Sequence, residues 1–145
     1  MAEEQPDTDF LPVPEGFEKL DRGGPYFGAL GPVYERKINE REAVFGLHIR
    51  SGHLNGNGIA HGGMLATLAD SFLGIAILRA HPDKRTATVS LTTDFMEAAH
   101  PGDWVEARVE IHRSGGRLTF AACYLQVGER RILRANGVFA MSPKA

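Results

Sequence analysis

The longest apolar segment of the chain runs from residue 62 to about residue 79 and predicts one long helix. Its apolar residues, taken at helical spacing, cover nearly the whole circumference, which indicates a helix buried on most sides. The sequence His81-Pro82-Asp83 ends the segment, because proline cannot continue a helix. The pattern therefore places one buried helix near the middle of the chain.

Runs of strand-forming residues predict two strands before this helix and four after it, and several of the runs alternate apolar and polar residues. Turns rich in glycine or proline separate the later strands. The predicted strands are residues 33–39, 42–50, 85–95, 103–113, 117–127 and 130–140. We expect an α+β fold in which an antiparallel sheet of about five to six strands wraps around the central helix. Such a sheet leaves a long edge strand, and pairing two sheets edge to edge would hide it.

Composition excludes several classes of function. The chain has 145 residues, of which 43% are hydrophobic and 23% are charged, as in an ordinary globular domain. Its formal net charge of −2 gives no basic excess for nucleic acid and no polybasic arm for a membrane surface. The acidic N-terminus is unlike a secretory signal and the single Cys123 cannot form an internal disulfide, so we expect a cytoplasmic protein with this thiol in the core.

The candidate chemistry lies where a polar loop enters the helix. Asp70 is the only acidic residue between Ile59 and Leu78, and burying an unpaired carboxylate costs several kcal/mol. A glycine-rich loop from Asn55 to Gly63 precedes it, and no Ser, Thr or Asp stands at the helix start. We therefore expect the first backbone N–H groups to be free to bind an anion or a carbonyl oxygen. Together these groups indicate hydrolysis at a carbonyl.

The spacing of these groups predicts a site shared between two subunits. Asp70 lies eight residues beyond Gly62, which is ~12 Å along a helix axis. The helix amides and the carboxylate of one chain therefore cannot both contact one carbonyl group, whereas antiparallel pairing of two chains would bring them together. Two alternatives stay open: Asp70 as a structural hydrogen-bond acceptor, and His61-Gly62-Gly63 as a tight turn.

The motif Asn55-x5-His61-Gly62-Gly63-x6-Asp70 resembles that of the hotdog-fold acyl-CoA thioesterases, specifically the phenylacetate-pathway (PaaI-like) branch. The resemblance covers about residues 33–141 and implies hydrolysis of an acyl-CoA thioester without a metal or another cofactor. It divides the chain into a variable N-terminal segment, residues 1–32, and a hotdog domain, residues 33–145. It also implies a homodimer with shared sites that assembles further into a dimer of dimers.

The resemblance implies a role for each site residue. The Gly62 N–H would polarise the thioester carbonyl and stabilise the oxyanion. Asp70 of the partner chain would act as general base on water, or as a nucleophile that forms a mixed anhydride. Asn55 would orient the water or the thioester. His61 would position the loop, and Thr88 on the following strand would help to hold the water.

Substrate-binding residues are predicted in two further places. A basic, glycine-bearing turn suits the phosphates of coenzyme A, because guanidinium and amide groups bind phosphate well. Its residues are Arg113, Ser114, Gly115, Gly116 and Arg117, and Arg79, Lys84 and Arg85 are weaker candidates of the same kind. The acyl group would lie beside Gly63 against helix side chains that accept aliphatic or aromatic groups, namely Met64, Leu68 and Phe72.

Other chemistries were weighed against hydrolysis. The spacing of His48, His53 and His61 matches no zinc pattern, so no metal site is expected. Hydratases and dehydratases of acyl thioesters on the same fold usually pair an Asp with a His closer in sequence. A non-catalytic acyl-CoA-binding module would gain nothing from the Asp70 carboxylate beside a thioester.

Overall fold

A computed structural model describes residues 11–144 of the chain. The strands are β1 (Glu18–Lys19), β2 (Tyr34–Lys37), β3 (Ala43–His48), β4 (Lys84–Phe95), β5 (Trp104–Ser114), β6 (Leu118–Val127) and β7 (Arg130–Pro143). The helices are α1 (Gly24–Gly28) and α2 (Gly62–Ala80), with a 3-10 turn at Ser51–His53. Within the described residues the seven strands form one antiparallel sheet in the order β1-β2-β3-β5-β6-β7-β4.

The predicted α+β architecture is confirmed, since each of the six predicted strands and the long helix is present. The sheet has one strand more than predicted, because the two-residue β1 pairs with β2. So short a strand carries no alternating pattern, which is why the sequence does not reveal it.

Helix α2 is apolar all round because the sheet wraps around it. Its buried residues are Met64, Leu65, Leu68, Ala69, Phe72, Leu73, Ile75 and Ile77. Phe72 stacks on Phe45 with the ring centroids 4.6 Å apart and meets the edge of Phe27 at 5.7 Å. By length and composition α2 could cross a membrane; its burial beneath the sheet accounts for that composition instead. Cys123 is fully buried as predicted, and burial raises the pKa of its thiol to about 12.

The segment before β2 packs on the rest of the chain. Leu20 and Phe27 belong to the hydrophobic core, and the His48 ring nitrogen Nε2 hydrogen-bonds the Pro12 carbonyl oxygen at 3.0 Å. Of the predicted N-terminal segment, residues 1–10 lie outside the described part of the chain.

Strand β4 forms one edge of the sheet and contains a β-bulge. Thr88 pairs with Phe139 and Ser90 pairs with Val138, so Val89 is the extra residue between them. Successive residues of a regular strand face opposite sides, and one extra residue exchanges the two sides beyond it. The bulge therefore decides which side chains of β4 face α2.

Candidate active site

Asn55 holds its own loop through its carboxamide oxygen. This Oδ1 accepts hydrogen bonds from the backbone N–H groups of Asn57 at 2.9 Å and Ile59 at 3.3 Å. The Asn55 N–H also donates to the Ile59 carbonyl at 2.8 Å, which closes the turn. Because the oxygen is occupied, the side-chain NH₂ group is the part that Asn55 can offer to a substrate or a water.

His61 caps the start of α2, and this corrects one expectation. The Gly63 N–H donates to His61 Nδ1 at 2.8 Å, so the prediction that the first helix amides are all free is wrong for Gly63. Histidine is not among the usual N-cap residues, but an unprotonated ring nitrogen accepts this bond equally well. A Cβ on Gly63 would lie 3.0 Å from the His61 ring, so the ring would have to shift to admit a side chain there.

The Gly62 N–H lies at the first position of α2 and donates to no acceptor within residues 11–144. An amide at a helix N-terminus points away from the helix and favours negative charge. The Phe95 ring lies beside it, since a Cβ on Gly62 would be 3.3 Å from Phe95 Cε1. This arrangement can stabilise an oxyanion next to an aromatic side chain.

Asp70 and Thr88 form the second part of the site. The Thr88 hydroxyl donates to Asp70 Oδ1 at 2.6 Å, while within the described residues no group donates to Oδ2. The two residues line a cavity of about 420 Å³ together with Ser71 and Gly74 of α2. A half-buried carboxylate with one oxygen held and the other open can take a proton from water or attack a carbonyl carbon.

The structure thus places two half-sites in one chain. We name the loop half-site, which consists of Asn55, His61 and Gly62, and the acid half-site, which consists of Asp70 and Thr88. Helix α2 is continuous from Gly62 to Ala80, so the two half-sites lie ~12 Å apart along its axis. Two of the predicted site residues, Thr88 and Asp70, are hydrogen-bonded to each other, and Asp70 is separated from the amide of its own Gly62.

His53 anchors the loop half-site, a role that was not predicted from the sequence, where His53 was considered only as a possible zinc ligand. Its Nδ1 accepts the Arg50 N–H at 3.0 Å, and its Nε2 donates to the Leu30 carbonyl at 2.7 Å. Its own carbonyl oxygen accepts the His61 N–H at 2.8 Å. Burial lowers the pKa of His53 below its usual value, the Arg50 charge lowers it further, and the Leu30 carbonyl acts in the opposite direction. Nothing in the spacing of the histidines marks this role.

The predicted phosphate-binding turn is the exposed tip of the β5–β6 hairpin, near the C-terminal end of α2. His81 Nε2 contacts Ser114 Oγ at 3.0 Å, and the Gly115 N–H donates to the Leu118 carbonyl at 2.8 Å. Neither Arg113 nor Arg117 forms an ion pair within the described residues. The remaining turn residue, Gly116, is exposed.

The predicted acyl-binding side chains lie in the core of this chain. Leu68 and Phe72 are fully buried, and Met64 is 8% exposed. Their contact with an acyl group stays a prediction. No three His, Cys, Asp or Glu residues come together as metal ligands in the described part of the chain.

Comparisons with known proteins add to this geometry. Residues 57–132 match the family described as the thioesterase superfamily. The chain is 42% identical over 128 residues to "Putative esterase PA0474" of Pseudomonas aeruginosa, which covers 88% of this chain and 96% of that protein.

Solved structures share the fold. A variant of the phenylacetic acid degradation protein PaaI from Thermus thermophilus is 26% identical with a TM-score of 0.72, over 81% of this chain and 98% of that one. A hypothetical thioesterase with coenzyme A from Streptococcus pneumoniae is 19% identical with a TM-score of 0.72, over 77% of this chain and 87% of that one.

Proposed function

Because the chain belongs to the thioesterase superfamily and has its hotdog fold, we propose that it hydrolyses acyl-CoA thioesters to a free carboxylic acid and coenzyme A. The observation that carries this proposal is the Asp70–Thr88 pair, whose open carboxylate oxygen borders a cavity. The free Gly62 amide supplies the matching group for an oxyanion. Coenzyme A in a structure of the same fold supports the substrate class.

The active site forms between two subunits in this proposal. The half-sites of one chain lie too far apart to act on one thioester, so Asp70 and Thr88 of one subunit face the loop half-site of its partner. Edge strand β4 is the surface that would pair, since Val89 is 60% exposed and Phe95 53% exposed. Pairing of two β4 edges would cover these apolar side chains and the unpaired backbone groups. Two such homodimers would form the dimer of dimers.

Each group then has a task in hydrolysis. Asp70 Oδ2 takes a proton from a water whose oxygen attacks the thioester carbonyl carbon, and the negative charge on the carbonyl oxygen is stabilised by the partner's Gly62 amide. The C–S bond breaks, and the proton held on Asp70 passes to the leaving thiolate. Thr88 fixes the carboxylate, and the NH₂ group of the partner's Asn55 holds the water or the thioester. Direct attack by Asp70 would instead give a mixed anhydride that water then hydrolyses.

Thr88 as the partner of Asp70 also bears on the alternative functions. Within residues 11–144 no histidine contacts Asp70, because His53 and His61 are bonded within their own loop. Within one chain the partner of Asp70 is therefore a hydroxyl and not a histidine, and in the proposed dimer the histidine nearest to Asp70 is the partner's His61, whose Nδ1 accepts the Gly63 N–H.

The test is the release of free thiol from short, medium, long and aromatic acyl-CoAs by wild-type protein and by Asp70→Asn. The substitution keeps the shape of the side chain and removes the base, so we expect kcat to fall about a hundredfold or more with the fold intact. Asp83→Asn is the matched control, since Asp83 is exposed just beyond α2. Near-normal turnover by Asp70→Asn would make Asp70 a structural acceptor. Absence of thiol release from every acyl-CoA by the wild-type protein would refute the proposed activity.

A further inference from the structure

A second and larger cavity, of about 1300 Å³, lies over the end of α2 between β2 and the start of β4. Arg79 in its wall pairs with the buried Glu35. The other cations of the wall are Arg22, Lys37, Arg41, Lys84, Arg85 and Lys144. We call this cavity the basic cleft.

The charge of the basic cleft is opposite to that of the chain as a whole. The sequence has 18 acidic residues against 16 Lys and Arg, yet the six cations of the cleft face a single further acid, Glu40. None of the six forms an ion pair with another residue of the described range 11–144. Ammonium and guanidinium groups that converge on one cavity fit a ligand with several phosphates.

The basic cleft continues into the acid half-site. Arg22, Leu78 and Thr86 line both the cleft and the smaller cavity that contains Asp70. Lys84 precedes Thr88 by four residues of β4, which is ~13 Å along a strand. The pantetheine arm of coenzyme A, which joins the thioester to the first phosphate, spans about 15 Å when extended, as do four to five residues of extended chain. The phosphates of a thioester bound at Asp70 are therefore within reach of the cleft.

We propose that the basic cleft binds the phosphorylated adenosine end of coenzyme A, with the pantetheine arm along the wall that the two cavities share. This inference rests on the proposed function and gives the substrate a fixed direction, from the cavity that contains Asp70 to the basic cleft. It differs from the binding site predicted at the β5–β6 hairpin, because no residue of that turn lines the cleft, and it includes Arg79, Lys84 and Arg85, which were predicted from the sequence only as weaker candidates. Arg113 and Arg117 are exposed at the hairpin tip, whereas Lys84 is half-buried in the cleft wall.

The test measures binding apart from turnover. Calorimetric titration with coenzyme A and with adenosine 3′,5′-bisphosphate compares the wild-type protein with the double variant Lys84→Ala/Arg85→Ala. We expect binding of both probes to weaken about tenfold or more, since two charge-assisted contacts are lost. Lys19→Ala/Arg108→Ala is the matched control, because it removes the same charge from exposed positions outside the cleft and should leave the affinity unchanged.

Unchanged affinity of Lys84→Ala/Arg85→Ala for coenzyme A would overturn the inference. If a hairpin variant, Arg113→Ala/Arg117→Ala, lost affinity at the same time, the nucleotide would bind at the hairpin instead. An acyl-pantetheine, which lacks the nucleotide, separates this inference from the proposed function. The cleft substitutions should lower the ratio of kcat/KM for acyl-CoA to that for acyl-pantetheine, and failure to hydrolyse either substrate would count against the thioesterase activity alone.

Discussion

The contacts of Asp70 and Asn55 leave Asp70 as a proton acceptor and Asn55 as a hydrogen-bond donor in the site. Thr88 occupies one oxygen of the Asp70 carboxylate, which fixes its direction and leaves Oδ2 as the acceptor for a proton. The Asn55 side-chain oxygen accepts hydrogen bonds from its own loop, so Asn55 can act on a substrate only as a donor, through its NH₂ group. A base and a donor are the complementary pair that attack of water on a thioester requires.

The stability of the protein should depend on His53 below neutral pH. Burial lowers the pKa of His53 in the folded chain, so the unfolded chain binds the proton first as the pH falls. This contribution to stability is complete above the unfolded pKa of about 6.5, decreases below it, and is lost once the pH passes through the lowered folded value. Its slope cannot exceed about 1.4 kcal/mol per pH unit for one group.

Urea unfolding between pH 8 and pH 5 measures this effect in wild-type protein and in His53→Gln. The variant should be less stable at pH 8 by about 1–3 kcal/mol, since groups bonded to His53 lose their partner. The wild-type advantage should shrink as the pH falls below 6.5. His112→Gln offers a control, since it removes an exposed histidine and leaves every contact of His53 in place. An equal difference at every pH would show that His53 does not titrate as inferred.

At the scale of secondary structure, the bulge at Val89 allows one strand, β4, to place a side chain beside each of the two half-sites. Thr88 hydrogen-bonds Asp70 and the Phe95 ring lies beside Gly62, although the two strand residues are seven positions apart along β4. Positions an odd number apart face opposite sides of a regular strand, so both can face α2 only because Val89 adds one residue. The bulge could not be predicted from the sequence, because an extra residue within a run of β-branched residues does not change the pattern that predicts a strand.

Deletion of Val89 should therefore uncouple the strand from the site. A regular β4 would turn either Thr88 or Phe95 away from α2, and misplacement of one group in this way can cost about a hundredfold in turnover. Val89→Ala is the matched variant, since it keeps the extra residue and removes only the exposed side chain. The prediction is tested by measuring kcat for the deletion variant and for Val89→Ala, with circular dichroism to confirm that both fold. Equal kcat in the deletion variant and in Val89→Ala would mean that the bulge has no part in placing Thr88.

At the scale of the whole molecule, the separation of the half-sites makes dimerisation part of the mechanism. Mixing Asp70→Asn with Gly62→Pro should restore activity, because one site of each hybrid dimer receives both lesions and the other receives neither. Recovery should reach at most about half of wild-type turnover per hybrid dimer.

The structure makes Gly62→Pro a clean test of the amide. The Gly62 N–H has no acceptor among residues 11–144, proline is well tolerated at the first position of a helix, and His61 has the extended backbone (φ −64°, ψ 129°) that a following proline requires. Gly62→Ala places a similar Cβ beside Phe95 and keeps the amide, so it should stay active. No recovery in the mixture despite proven exchange of subunits would place the complete site within one chain.

The sequence by itself determined the long helix and six of the strands, because the pattern of apolar and polar residues that predicts them is local along the chain. One helix apolar on every side requires a sheet that surrounds it, and the runs of strand residues supplied that sheet. The same local order showed that Asp70 and the helix start lie ~12 Å apart, since helical rise is fixed.

Only the tertiary structure decided which side chains meet. Thr88 meets Asp70 across 18 positions of sequence, and His53 bonds Leu30 across 23, and no local pattern encodes either contact. The cap on Gly63 was missed because His61 is an uncommon acceptor at a helix start. The six cations of the basic cleft come from both ends of the described chain, from β2 and the turn after it, and from β4, so they converge only once the sheet has closed around α2.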